Sequence, residues 1–294
     1  MYIRKFNNKW VNDFNKSYLD NLNKLIEAFT IFYGNSYYKY IKGVITKLKF
    51  HFFINEEALV HVVDKDDNLM INKINSHVNT LKRLEKCDIK NGMTKTQVGF
   101  RCMKRFVYTK FGRKSLEYEM WRDLMFEPSL AIYYTNNLIA LPIYTVDDNT
   151  IIHEINHAFN TPDNIYNIFP YAEIDELLNE ITALDILDIF KSLGGKIVHN
   201  DIKLNCLETS KVYLIKDFYL NFKDLVSECL IMNDYSVLED NLGSNNLMTY
   251  FSFVVKLYNK KEVNDIELKR LKFLVFMMKE YYKNKQNRRT RKIL

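Results

Sequence analysis

The chain has 294 residues, 47% of them hydrophobic and 27% charged, with 42 Lys and Arg against 36 Asp and Glu and a formal net charge of +6. That balance excludes intrinsic disorder, which needs few apolar residues and a high net charge, and 8 Gly with 4 Pro exclude a collagen-like or linker-like chain. The 20 Phe and 20 Tyr can fill a large core, and the length admits one large domain or two modest ones. Residues 1–9 contain no apolar secretory core, and no apolar run reaches membrane-spanning length, so a cytoplasmic protein without a membrane span is expected. Cys87, Cys102, Cys206 and Cys229 form no CxxC pair and are expected to be reduced, buried thiols.

In chain order, Val11, Phe14, Tyr18, Leu22, Leu25, Ile26 and Phe29 recur at helical spacing, and the pattern stops at Gly34-Asn35. From Val44 to Val63, β-branched and aromatic residues suggest short strands around Phe50-His51-Phe52-Phe53 and Leu59-Val60-His61-Val62. Leu69 to Cys87 reads as helix. Two apolar runs flank Thr135-Asn136-Asn137, the pattern of a hairpin whose turn uses Asn at positive φ. Pro142 makes the second strand an edge, or ends it there. Asp147 to Thr150 supply caps for a helix from Ile151 to Asn160, halted by Thr161-Pro162-Asp163. A further helix runs from near Pro170 to Leu193, with Gly194-Gly195 as its stop. The remainder, from about Cys206 to Tyr282, reads as helices broken near Asn233-Asp234, Gly243-Ser244 and Asn264-Asp265. The apolar run 271–278 suits a core helix, and the basic stretch 283–294 reads as a frayed, solvated tail.

One motif carries chemistry. The chain has 6 His, and two of them stand four apart in His153-Glu154-Ile155-Asn156-His157. On a helix that spacing stacks two imidazoles on one face, where both can reach one metal ion, with Glu154 placed to take a proton from water beside it. Ile151, Ile152, Ile155, Ala158 and Phe159 give the helix apolar cover. His51, His61 and His77 read as structural. No P-loop and no GxSxG nucleophile motif is present.

A third ligand is sought among Glu173, Glu176 and Glu180 on the following helix, and spacing alone does not choose. Glu180 has Leu177, Ala183, Leu184 and Leu187 around it, so its carboxylate faces the interior, where burial is costly unless it binds a metal or is paired. Glu180 is therefore the expected ligand. Glu176, in a more polar setting, is the alternative, with Glu180 then its partner four residues on.

The stretch 130–190 resembles the zincin metallopeptidases, in which an edge strand precedes an HExxH helix and a later helix supplies the third ligand. Leu178-Asn179-Glu180 is similar to the Asn-Glu context of the gluzincin branch, whereas Asn160 and Asp163 stand where metzincins have Gly and a third His. The resemblance implies an α+β, zincin-like fold: a small antiparallel sheet with an active-site helix, then a mostly helical C-terminal half. The expected parts are 1–160, of mixed α/β build, and 161–294, mainly helical, as one compact catalytic unit. It also implies a metallopeptidase with one zinc ion, acting on a peptide or protein substrate, with Glu154 moving the proton. Nucleic acid is not an expected partner. Thermolysin-like members carry a carboxylate four residues after the ligand glutamate, and with Glu180 as ligand that place is Leu184. The absence of a Gly-Ala-Met-Glu-Asn strand favours an endopeptidase. The strand Leu138-Ile139-Ala140-Leu141 is the expected binder of the substrate backbone, and Tyr166, Tyr171, His199 and Tyr213 are candidates to stabilise the oxyanion. The competing expectation is a non-catalytic binding module that keeps a structural metal site.

Overall fold

A computed structural model describes residues 9–53, 132–134, 137–142, 146–160, 172–198 and 207–293. The elements are α1 (Lys9–Tyr33), a 3-10 turn at Asn35–Tyr37, α2 (Tyr38–Ile45), β1 (Lys49–Phe53), β2 (Ile132–Tyr134), β3 (Leu138–Pro142) and α3 (Asp148–Asn160). They continue with α4 (Ala172–Ser192), α5 (Leu207–Lys211), α6 (Lys216–Met232), α7 (Ser236–Leu242), α8 (Ser244–Tyr258) and α9 (Asp265–Ile293).

The chain divides into two compact units that interleave in sequence, one from Met1–Asn21, Leu48–Ile151 and Lys196–Leu204, the other from Leu22–Lys47, Ile152–Gly195 and Asn205–Leu294. The residues from Ile152 to His157 and the whole of α4 fall in the same unit.

The first unit holds the sheet, in the order β1-β3-β2. β2 and β3 form the expected hairpin, antiparallel with Ile132 opposite Ala140, and Asn137 in its loop takes φ 59°. β1 pairs with β3 in parallel, from Lys49 opposite Leu138 to Phe53 opposite Pro142. Phe50 and Phe52, two apart on one face, pack against Phe14 at 5.2 and 5.1 Å between ring centroids, and Phe50 lies 4.7 Å from Tyr18. The Asp148 carboxylate accepts from the backbone N–H groups of Ile197 and Val198 at 3.1 and 2.8 Å.

Two expectations are corrected here. The described residues do not form a zincin-like α+β fold built on a small antiparallel sheet: most of them are helical, and the longest strand pair is parallel. β3 is the middle strand, with Leu138, Ile139 and Ala140 paired on both sides, so these three cannot add a substrate strand, while Leu141 is paired with Phe52 of β1. The alternation of the hairpin showed how β2 and β3 meet. It held no information about β1, which arrives from far upstream. The described part of β3 reaches Pro142, and residues 143–145 lie outside the described residues.

The second unit is helical. Its breaks are where the turn residues stand. At the end of α4 the Gly195 N–H reaches Phe190 O and the Gly194 N–H reaches Lys191 O, with Gly194 at φ 70°. Asn233, at φ 52°, closes α6 in the same way. Asn264 and Glu267 cap α9 reciprocally, each side chain accepting from the other's backbone N–H at 3.0 and 3.2 Å. α2 occupies residues that the aromatic pattern only partly assigned, and α9 stays helical to Ile293 where a frayed tail was expected. Leu59 to Val63, Leu69 to Cys87 and three of the four cysteines lie outside the described residues; Cys229 is a free, buried thiol.

Candidate metal centre

Asp147 caps α3 by accepting from the backbone N–H and the hydroxyl of Thr150, at 2.8 and 2.7 Å. Within the second unit, Ile152, Ile155 and Phe159 are buried, and Phe159 packs on Phe29 at 5.3 Å. That anchoring sets the opposite face of the helix, with His153 and His157, toward α4. α4 is buried on nearly every side, through Ile174, Leu177, Leu178, Ile181, Ala183, Ile186 and Phe190.

The two Nε2 atoms of His153 and His157 stand 2.9 Å apart. Glu176 Oε2 lies 3.3 Å from the first and 3.4 Å from the second. Four donors at zinc's usual distance of roughly 2.0–2.1 Å in a tetrahedron stand about 3.3–3.4 Å from one another. The two edges to Glu176 match that spacing, and a histidine–histidine edge of 2.9 Å is slightly tight. His153, His157 and Glu176 thus form a group able to hold a metal ion. Both imidazoles are buried, while the Glu176 side chain is 43% exposed, so the triangle opens on its glutamate side. Glu154 is buried, and its charge acts on both histidines.

Of the two glutamates weighed, it is the alternative, Glu176, whose carboxylate lies beside both Nε2 atoms. Glu180 lies behind His153, accepting from Nδ1 at 2.8 Å, while its other oxygen accepts from the Thr209 hydroxyl. Its apolar neighbours did signal burial, and it is 1% exposed. The carboxylate is satisfied there by hydrogen bonds, not by the face where ligands converge. Glu173 has no described contact with the group.

No protein-family model, curated protein or solved structure matches the chain. The site must be read from its own chemistry.

Burial would lower the His153 pKa, but hydrogen bonds to Glu176 and Glu180 and the nearby carboxylate charges overcome it and raise it well above its ordinary value. His157 is raised on the same balance, burial opposed by the charge of Glu176. Burial would raise Glu176, but the two imidazoles hold it well below the usual carboxylate range. The cluster is thus drawn together by charges that a cation would replace.

Behind His157, the Asn179 amide nitrogen stands 3.2 Å from Nδ1 and donates to Asp175 O at 3.1 Å. Asn156, inside the motif, donates to Asn179 Oδ1 at 3.1 Å and to Thr182 Oγ1 at 2.7 Å, and accepts from the Tyr33 hydroxyl. Tyr235 donates to Asp175. Of these residues the sequence singles out only Asn179, in Leu178-Asn179-Glu180, though a fully buried Asn between two histidines is the kind of polar residue that requires partners. Tyr213 is exposed and no described contact joins it to the group. Tyr166, Tyr171 and His199 lie outside the described residues.

Proposed function

We propose that the chain is a zinc-dependent peptidase, an endopeptidase, in which His153, His157 and Glu176 hold the ion and Glu154 moves the proton. The observation that carries this reading is the convergence of the two Nε2 atoms and Glu176 Oε2 at 2.9, 3.3 and 3.4 Å, with Glu154 between the two histidines in sequence. A divalent ion held there supplies Lewis acidity, which polarises a peptide carbonyl and makes water nucleophilic near neutral pH. Glu154 accepts the proton of the attacking water and passes it to the leaving amine. Glu180 fixes the ring of His153 by accepting from its Nδ1. With Glu176 as ligand, a carboxylate does stand four residues further on, as Glu180, in the place that the gluzincin resemblance requires. The reading rests on the site and not on the fold.

The test is metal analysis of the purified chain together with cleavage of a broad peptide library. One zinc per chain and cleavage abolished by Glu154→Gln, with zinc retained, is the expected result. Stoichiometric zinc without cleavage of any peptide favours the non-catalytic module, and absence of zinc overturns both.

A further inference from the structure

α9 uses one stripe for the core: Leu271, Val275 and Met278, at i, i+4 and i+7, are buried. Its other side carries Ile266, Phe273, Phe276, Met277 and Tyr281, each between 44% and 78% exposed. Phe273 neighbours Phe276 and Met277 at i+3 and i+4, and Met277 neighbours Tyr281 at i+4, so these side chains form a strip and not scattered positions. Single exposed apolar residues are ordinary, whereas a contiguous strip marks a surface that docks.

The charge of the same helix selects the partner. α9 holds ten of the chain's 42 Lys and Arg but three of its 36 Asp and Glu, a net +7 against +6 for the whole chain, so the rest of the chain is close to neutral. Six of those ten follow Tyr282, with no acidic residue among them. At about 100° per residue, Lys269 and Arg288 fall on the same outward half as the strip, while the Arg270 guanidinium lies over the Phe253 ring at 4.5 Å. The carboxylate of Glu280, on that half, is paired with Lys283 at 2.8 Å.

We propose that α9 docks lengthwise on an anionic phospholipid surface, with Phe273, Phe276 and Met277 entering the acyl boundary and Lys269 and Arg288 meeting lipid phosphates. Apolar residues on one face and basic residues at headgroup level are the two contributions such an interfacial helix combines. Among the described residues no helix is long and apolar enough to cross a membrane, and this mode needs none. A second copy fits less well, because two strongly basic helices would meet. Nucleic acid would use the charge, but Ile266 and Met277 have no flat face on which a base could stack. The inference stands apart from the peptidase reading.

The experiment is co-sedimentation of the full chain with vesicles of phosphatidylcholine alone and of phosphatidylcholine with 30 mol% phosphatidylserine, at low and high salt. The expected result is partitioning about tenfold or more stronger onto the anionic vesicles, weakened by salt. The exposed triple variant Phe273→Ser, Phe276→Ser, Met277→Ser loses about tenfold or more of it while keeping the wild-type circular dichroism spectrum. Failure to bind anionic vesicles, or binding that the triple variant leaves unchanged, overturns the proposal. So does concentration-dependent dimerisation, or tighter capture of a single-stranded oligonucleotide, that the same three substitutions abolish while vesicle binding is unaltered.

Discussion

If Glu176 is a ligand and Glu180 its support, removing the two side chains must weaken metal binding by different amounts. Glu180 accepts from His153 Nδ1 at 2.8 Å and is almost fully buried, so the bond is charge-assisted and little screened. Such bonds contribute about 1.5–3 kcal/mol, against about 0.5–1.5 for neutral ones. Glu180→Gln keeps an acceptor oxygen and loses only the charge, a difference of about 1–1.5 kcal/mol, or roughly tenfold in zinc affinity. Glu180→Ala removes the acceptor altogether and falls toward the hundredfold limit seen for outer partners of metal-bound histidine. Glu176→Ala removes a donor atom and must exceed both. Competition titration of the purified variants against a chromophoric zinc chelator at fixed pH reads all three. An affinity loss for Glu180→Ala larger than that for Glu176→Ala would refute the assignment and restore Glu180 as the ligand.

Zinc affinity is expected to fall with pH, because the ion must displace protons from His153 and His157, whose pKa values are raised in the metal-free protein. The stability of the metal-free chain follows a different course. The histidine contribution is complete below their ordinary 6.5 and is lost as pH rises through the raised values, while that of Glu176 is present above 4.5 and is lost as pH falls through its depressed value. Melting curves with and without zinc should therefore show a metal-induced rise in Tm that grows from pH 6 to 8, and a rise that shrinks over that range speaks against the site. Gly195→Ala should destabilise the chain by roughly 1–3 kcal/mol in urea titration, an overpacking cost. Its Cβ would lie 2.2 Å from the Phe190 ring in a turn already held by the Gly195 N–H bond to Phe190 O. An unchanged midpoint would show that the ring yields freely.

Local features were readable where a single residue type has one physical use. Asp147 before the motif helix, Asn137 in the hairpin, Gly194 after α4 and Asn233 after α6 each stand where the structure uses them. The motif His153-Glu154-Ile155-Asn156-His157 likewise predicted two imidazoles on one helical face, and they stand 2.9 Å apart. These are matters of helical period and φ, which a few neighbouring residues decide.

What neighbours could not decide was which atoms meet across the chain. α4 is apolar on almost every side, so the apolar flanks of Glu180 revealed burial but not orientation. The rotation of α4 about its axis relative to α3 is set by packing of the whole unit. One helical turn of difference turned the expected ligand into the hydrogen-bond partner of His153 and brought Glu176 to both Nε2 atoms. In the same way β3 became a central strand when β1 paired with it in parallel from far upstream. The histidine-poor sequence by itself placed two imidazoles at metal-ligand spacing on one helical face. Only the tertiary packing decided which carboxylate lies beside both imidazoles, because donor convergence is a distance between helices and not a spacing along one.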